Sequence, residues 1–372
     1  MVYPPQPELA DVRNFLLLQY PLALGTAIHA TPLIAAIHAA IPDARVSAAA
    51  SGFALEVLRN NPGLETFVST PSPLRELLPA ANALRRAKVF GREPYAVLLT
   101  TGNERSRIIF AAVLSGSPTR VGFTLVPELA AAHLHFDPRL SQIANNLRIL
   151  ETLGHGPALL DQLQSNPTLI EPAVYFSSAD LDAASMLLQS TNPQAQPLTA
   201  FVLQGSGGQR TGWHDDRFAQ VIRHAESLGH RTVFLGTAND AALIDRIRTL
   251  AGSAGQSLAG RTTIPQLAAL LCLCDLLVTL DTGTMHVGRA ANLPMVVLGP
   301  SWQRPIEWLP LGKPNVRILR GEDRDDVPPD YRLDEIAAVD VNAAIDELHR
   351  SFPPSGEERR QRLARLLSTT RA

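Results

Sequence analysis

Short apolar runs rich in β-branched residues alternate with longer Ala- and Leu-rich segments along the whole chain, and this alternation limits the fold more than any other feature. In the first half the runs are Phe15–Tyr20, Arg45–Ala50, Ala96–Thr101 and Arg120–Phe123. In the second they are Thr199–Leu203, Thr232–Leu235, Leu276–Leu280, Met295–Leu298 and Val316–Leu319. Strands that are apolar along their full length, each separated from the next by a helix, belong to parallel sheets covered on both faces. The helices are as legible. Asp216–Leu228 places Phe218, Val221, Ile222 and Ala225 at helical spacing, and Gly229 ends it.

A chain of 372 residues exceeds what one core ordinarily serves. The texture changes at "LLDQLQSNPTLIEPAVYFSSADL" and "STNPQAQPL", where Pro, Asn and Ser punctuate the pattern, and the junction is expected near residues 165–197. The expected division is an N-terminal domain over 1–172, a C-terminal domain over 173–352 and a basic tail over 353–372. Both domains read as doubly wound α/β units, facing across a cleft, with ligands at the carboxyl ends of the strands.

A formal charge of −2 argues against a general nucleic-acid binder. Cys272 and Cys274, the only cysteines, are too close for an ordinary disulfide and too few for a zinc site, which suits a reducing compartment. No metal-ligand cluster is evident. The N-terminus lacks the basic-then-apolar pattern of a secretory leader, and no uninterrupted apolar stretch reaches about 18 residues, so a cytoplasmic chain is expected. The tail "PPSGEERRQRLARLLSTTRA" reads as a solvated terminal helix or, with Leu363, Leu366 and Leu367 loosely on one face, as a contact for an anionic membrane surface.

Chemistry concentrates in three loops. In "LLVTLDTGTMHVGRAANLPMVVLGPS" a buried strand ends in Asp281-Thr282-Gly283, and a helix begins with His286 in its first turn. A helix start offers unpaired N–H groups and the positive end of a dipole, which suit phosphate oxygens. Gly283 admits close approach, Thr282 and Thr284 add hydroxyls, and Asp281 can accept from sugar hydroxyls. The alternative is that Asp281 or Thr282 only caps the helix and His286 lies on the surface. The second loop, "LQGSGGQRTGW", sets Gly205, Ser206 and Gly207 beside Arg210 and Trp213, an arrangement suited to a diphosphate. It is neither a Walker A loop nor a G-x-G-x-x-G fingerprint. The third, "LALGTAIHATP", reads as strand, glycine turn at Gly25, then helix, yet no Asp or Glu occurs from Val12 to Pro42.

In this order the motifs resemble glycosyltransferase family 9, the ADP-heptose:lipopolysaccharide heptosyltransferases and their relatives, from about residue 15 to residue 349. The quoted stretches are "LALGTAIHATPLIAAIHAAIPDARVS", "RVGFT", "FVLQGSGGQRTGWHDDRFAQVIRHAESLGHRTVFLGTAND" and "SLAGRTTIPQLAALLCLCDLLVTLDTGTMHVGRAANLPMVVLGPS". The resemblance implies a GT-B fold and inverting transfer of a sugar from a nucleotide-diphosphate donor to a hydroxyl of a surface glycan such as lipopolysaccharide core. Family precedent makes the donor ADP-heptose and asks for no metal and no separate cofactor. By similarity, Asp281, Thr282, Gly283, Thr284 and His286, with Gly205, Ser206, Gly207 and Arg210, would hold the donor. The nucleobase would lie near Thr237, Leu258, Ala259 and Thr262. A glycan or glycolipid acceptor would meet the N-terminal domain at Gly25, Arg105 and Arg107, although those arginines also read as solvated helix residues. A monomer acting at the cytoplasmic face of the inner membrane is the expected setting.

Departures from the family pattern bear on catalysis. Thr26 stands where relatives carry the Asp thought to deprotonate the acceptor; Gln204 replaces a Pro, and Thr211 a Lys, with Arg210 adjacent as a substitute cation. Threonine is not a base at neutral pH. His29, three residues on, is the nearest replacement, although it also fits an ordinary helix start. Three readings stay open: an active transferase with a displaced base, such as His29 or a carboxylate brought in by domain closure; a nucleotide-sugar binder with little or no activity; and a structural or assembly subunit that has lost donor binding as well.

Overall fold

A computed structural model of the chain describes residues 9–189, 196–205, 212–326 and 330–368. The chain divides into two compact units, Met1–Ala173 and Val174–Ala372.

The first unit holds a six-stranded sheet: β1 (Asn14–Gln19), β2 (Arg45–Ala50), β3 (Thr66–Ser69), β4 (Ala96–Leu99), β5 (Thr119–Gly122) and β6 (Ala132–His133). All pairs are parallel and the order is β3-β2-β1-β4-β5-β6. The central strands carry the apolar signature for a physical reason. Every residue of β1 and β4 is buried, because helices cover both sheet faces. The strands that the pattern misses are β3, which is only half-buried, and the two-residue β6 at the edge.

The second unit repeats the design with β7 (Leu198–Val202), β8 (Arg231–Leu235), β9 (Gln256–Ser257), β10 (Leu276–Leu280), β11 (Met295–Leu298) and β12 (Val316–Leu319). The order β12-β11-β10-β7-β8-β9 is again fully parallel. In chain order both sheets therefore follow the doubly wound arrangement, which reverses direction between β1 and β4 in one unit and between β7 and β10 in the other. Ligands of open α/β sheets gather at that reversal, beyond the strands' carboxyl ends. Phe201, Phe218, Ile222, Phe234 and Val278 form part of the core that fixes the second sheet. The helix Gly283–Ala290 lies tight on that sheet: a Cβ at Gly288 would come within 2.6 Å of Leu277 Cδ2 and 2.8 Å of Met295 Sδ.

The C-terminal segment refines the reading of the tail as a solvated terminal helix. Helix Gly356–Leu366 belongs to the second unit and packs against it through one side, with Arg362 and Leu366 buried and most of its other residues exposed. Arg362, 6 % exposed, donates to the carbonyls of Cys272 and Cys274, and Arg359 pairs with the buried Asp275 at 2.9 Å. Arg365 donates to the Ala290 carbonyl, and Leu366 is buried. Arginine stems with guanidinium heads that satisfy carbonyls pack readily, which a count of charges along the tail does not reveal. Both cysteines are free and buried, and burial pushes the Cys272 thiol up to about 12.

Candidate active site

In the second unit, β10 ends at Leu280 and the chain turns through Asp281 and Thr282 into helix Gly283–Ala290. This is the reversal point of the sheet, with β7 alongside. Thr282 is the N-cap by backbone geometry, but its side chain makes no capping hydrogen bond. Among the described residues its Oγ1 has no hydrogen-bond partner, although Thr282 is only 8 % exposed. A buried hydroxyl in that condition costs stability unless something else satisfies it. The capping alternative is thus not how the structure uses Thr282.

Asp281 is 3 % exposed, and burial raises its carboxyl from the usual aspartate range to about 6. With the Gln303 amide oriented to satisfy both of its ends, Nε2 donates to Asp281 Oδ2 at 3.0 Å and Oε1 accepts from Trp308 Nε1 at 3.0 Å. His286 is buried rather than on the surface, with its ring 5.9 Å from that of Trp308. Burial, then the Arg289 charge, lowers its pKa to about 3, so the imidazole is neutral at physiological pH and can offer a single N–H. Arg320 steadies the loop that carries Gln303 by donating to the carbonyls of Pro300, Ser301 and Gln303. Gln303 and Trp308 were not singled out from the sequence. Their clue is position alone: they directly follow β11, at the same edge of the sheet as Asp281.

The other donor-side candidates fall on neighbouring strand ends. Gly205 is buried just beyond β7. Ser206, Gly207 and Arg210, with Thr211, lie outside the described residues. Trp213 anchors the far end of that loop, donating to the Ile336 carbonyl at 3.0 Å and meeting Phe218 edge-on. Thr237, exposed beyond β8, forms a capping box with Asp240. Leu258 is buried, Ala259 and Thr262 are half-buried, and the Gly260 N–H donates to the Gly236 carbonyl at 2.9 Å. That bond brings the 236–240 and 258–262 loops together at one end of the sheet.

In the first unit, Gly25 is the second residue of the six-residue helix Leu24–His29, not a turn before it. The bend lies at Pro21–Ala23. Thr26 is 7 % exposed, and a Cβ at Gly102, where φ is +78°, would lie 2.2 Å from Thr26 Cγ2. His29 is 1 % exposed, so its ring meets protein rather than solvent, and its carbonyl accepts from Asn146 Nδ2 at 3.1 Å. Arg107 donates to the Pro73 carbonyl at 2.8 Å and so fixes the loop after β3, while Arg105 is exposed at the start of helix Ser106–Leu114. A buried polar network joins these pieces. Gln19 Nε2 donates to Thr100 Oγ1 at 2.7 Å, Asn103 Nδ2 donates to the same oxygen at 3.0 Å, and Asn146 Oδ1 accepts from the Thr101 N–H at 2.9 Å. None of Gln19, Asn103 or Asn146 was anticipated, because single amides leave no periodic trace.

Two doubly wound units in one chain, each with polar groups gathered at its sheet reversal, define the GT-B class of α/β proteins. Within that class, residues 162–326 match the model of glycosyltransferase family 9 (heptosyltransferase). Lipopolysaccharide heptosyltransferase 2 of Salmonella typhimurium is 32 % identical over 111 residues, 28 % of this chain and 32 % of the relative. The match thus spans about a third of that relative's length, as it does for the Escherichia coli K12 counterpart. Lipopolysaccharide heptosyltransferase 3 of E. coli is 21 % identical over 347 residues, 87 % of this chain and 96 % of the relative. Among solved structures, a family 9 glycosyl transferase from Veillonella parvula has a TM-score of 0.77 at 20 % identity, covering 93 % of this chain and 99 % of its own. E. coli ADP-heptose lps heptosyltransferase II gives 0.72 at 20 % identity, covering 90 % and 98 %.

Proposed function

We propose that this chain transfers heptose from ADP-heptose to a hydroxyl of a lipopolysaccharide-type glycan, with inversion at the anomeric carbon. The observation that carries the reading is the unpartnered, buried Thr282 hydroxyl at the start of helix Gly283–Ala290, flanked by Asp281 and by neutral His286. N–H groups at a helix start, a hydroxyl and an imidazole N–H are the donors a diphosphate takes up, and they stabilise charge as it develops on the leaving group. Gly205, with Ser206, Gly207 and Arg210, would approach the diphosphate from β7. Thr237, Leu258, Ala259 and Thr262 would frame the nucleobase, and Asp281 would accept from a sugar hydroxyl.

The identity of sugar and acceptor rests on the relatives' names, which are heptosyltransferases of lipopolysaccharide or lipooligosaccharide. On this reading the acceptor binds the first unit beside Gly25 and Arg105, while Arg107 shapes the neighbouring loop. The protein acts as a monomer in the cytoplasm, a setting that suits its two free thiols. Arg359, Arg362 and Arg365 of the tail bond within the second unit, while Arg360 is exposed and pairs with Glu357, leaving that side of the helix open to a peripheral contact with the inner membrane.

The test incubates the chain with ADP-heptose and a heptose-deficient lipopolysaccharide core, and reads the acceptor by mass spectrometry. Gain of one heptose, lost in His286→Ala, is expected. Binding of ADP-heptose without transfer would leave a nucleotide-sugar binder in place of the transferase.

A further inference from the structure

Transfer to a hydroxyl requires a group that takes its proton, and the two residues singled out for that role from the sequence are poorly suited. Thr26 carries a hydroxyl, which is not a base at neutral pH, and the His29 ring is enclosed at 1 % exposure. We propose that Glu104, in the turn after β4, is the general base of the transfer reaction. This inference rests on the transferase reading given above.

Position is the first argument. β1 and β4 are adjacent and parallel, with Leu18 opposite Leu99, and the sheet order reverses between them. Loops leaving their carboxyl ends line the place where a doubly wound sheet receives its ligand. The loop and helices after β1 hold no Asp or Glu as far as Pro42, and between residues 94 and 127 Glu104 is the sole carboxylate. The reversal point of this unit therefore draws one carboxylate from the two segments that build it.

Rigidity is the second argument. The Asn103 N–H closes the turn on the Thr100 carbonyl at 3.1 Å, and the Tyr20 N–H donates to Asn103 Oδ1 at 2.7 Å. Asn103, Thr100 and Gln19 are each no more than 1 % exposed, so the turn is tied to the end of β1 by buried hydrogen bonds from the Tyr20 N–H, Gln19 Nε2 and Asn103 Nδ2. From the other side, the Leu125 N–H donates to the Glu104 carbonyl at 2.8 Å.

Orientation is the third. Glu104 Oε1 accepts from the Gly102 N–H at 2.7 Å, which folds the carboxylate back over the turn. Gly102 is also the residue on which a Cβ would touch the Thr26 methyl at 2.2 Å. With standard backbone dimensions, Oε1 lies at most about 8 Å from that methyl, and Oε2 at most about 10 Å. Among the described residues Oε2 accepts no hydrogen bond, and the side chain is half-buried rather than enclosed. One oxygen is held and the other is available.

In the step itself, the acceptor O–H proton passes to Glu104 Oε2. The acceptor oxygen's electron pair forms the bond to the anomeric carbon, and the anomeric bond to the diphosphate oxygen breaks, its pair leaving with ADP. A side chain placed this way contributes typically about 10²–10⁴-fold in rate.

The experiment measures steady-state transfer from ADP-heptose to heptose-deficient lipopolysaccharide core by wild type, Glu104→Gln, Glu104→Asp, the double variant Glu104→Gln/Thr26→Asp and, as a control carboxylate in helix Phe53–Leu58 after β2, Glu56→Gln. Gln keeps an oxygen for the Gly102 N–H, so the turn survives and only basicity is lost. Expected is a kcat about 10²-fold lower or more for Glu104→Gln, with donor KM and melting temperature unchanged. Glu104→Asp should retain more activity than Glu104→Gln, Glu56→Gln should match wild type, and Thr26→Asp should restore part of the lost rate in the double variant. A Glu104→Gln kcat within threefold of wild type overturns the proposal. So does an equal loss in Glu104→Gln and Glu104→Asp that Thr26→Asp does not relieve, or a loss in Glu56→Gln instead. Wild-type chain that binds ADP-heptose and transfers nothing overturns the transferase reading, and this one with it.

Discussion

Replacing Asp281 with Asn should make the unliganded protein more stable and a poorer donor binder. Burial raises the Asp281 carboxyl to about 6 from the reference 3.8, so a folded chain at neutral pH holds a carboxylate it would more readily keep protonated. The sign follows from linkage. For a raised carboxyl, the favourable protonated state is fully present below the unfolded value, and its advantage is lost as pH rises through about 6. Set against a neutral isostere, wild type therefore carries a penalty of about 3 kcal/mol at pH 8, and roughly half of that at pH 5. Asn keeps an oxygen for Gln303 Nε2, so the local hydrogen bond is preserved. Urea unfolding of the two proteins at pH 5 and pH 8, without nucleotide, reads the difference directly. Asp281→Asn should gain stability at both values, by more at pH 8, while ADP-heptose affinity falls by about tenfold for want of a charged acceptor. A variant no more stable than wild type at pH 8 would refute the reasoning, since the carboxylate would then carry no burial penalty. Stability given up at a ligand site is a common pattern, and here it would trace to one oxygen pair.

Three further outcomes are expected. With Glu104 intact, Thr26→Asp should raise kcat by less than about tenfold; a larger gain in steady-state transfer would mean that no base is in place. Gly102→Ala should cost more than about 2 kcal/mol in urea unfolding, because its Cβ would collide with Thr26 Cγ2 at a backbone φ of +78°. Arg362→Ala should cost about 2–4 kcal/mol in the same assay, having left the Cys272 and Cys274 carbonyls without their donor; a neutral result would mean the tail helix is not part of the second unit's core.

Legibility in the sequence followed burial. Strands β2, β10, β11 and β12 occupy the runs read from apolar pattern, residue for residue, and the helix Asp215–Ser227 begins and ends one residue before its expected span. β3 escaped because none of its four residues is fully buried, and β6 and β9 because Ala132–His133 and Gln256–Ser257 offer too few residues for any period. Asp281, Thr282 and His286 were legible because three chemically distinct groups sit at a strand-to-helix turn. Gln303, Trp308, Asn103 and Asn146 were not, since each reaches the site through tertiary contact from a segment with no motif. Glu104 shows the same limit. It lay within "TTGNERSRIIF", where the arginines drew attention, and only the pairing of β1 with β4 brings its turn to the same sheet reversal as Thr26. The tail's contacts were hidden for a related reason, as charge in sequence does not reveal which guanidinium heads find carbonyls.

The claim on which the rest depends is that the Asp281–His286 loop holds a diphosphate. Calorimetric titration of ADP into wild type and into Thr282→Val tests it most directly, because Val keeps the shape and removes only the unpartnered hydroxyl. The account predicts one ADP per chain, bound about five- to tenfold more weakly by the variant. Absence of ADP binding, or equal affinity in both proteins, would contradict it.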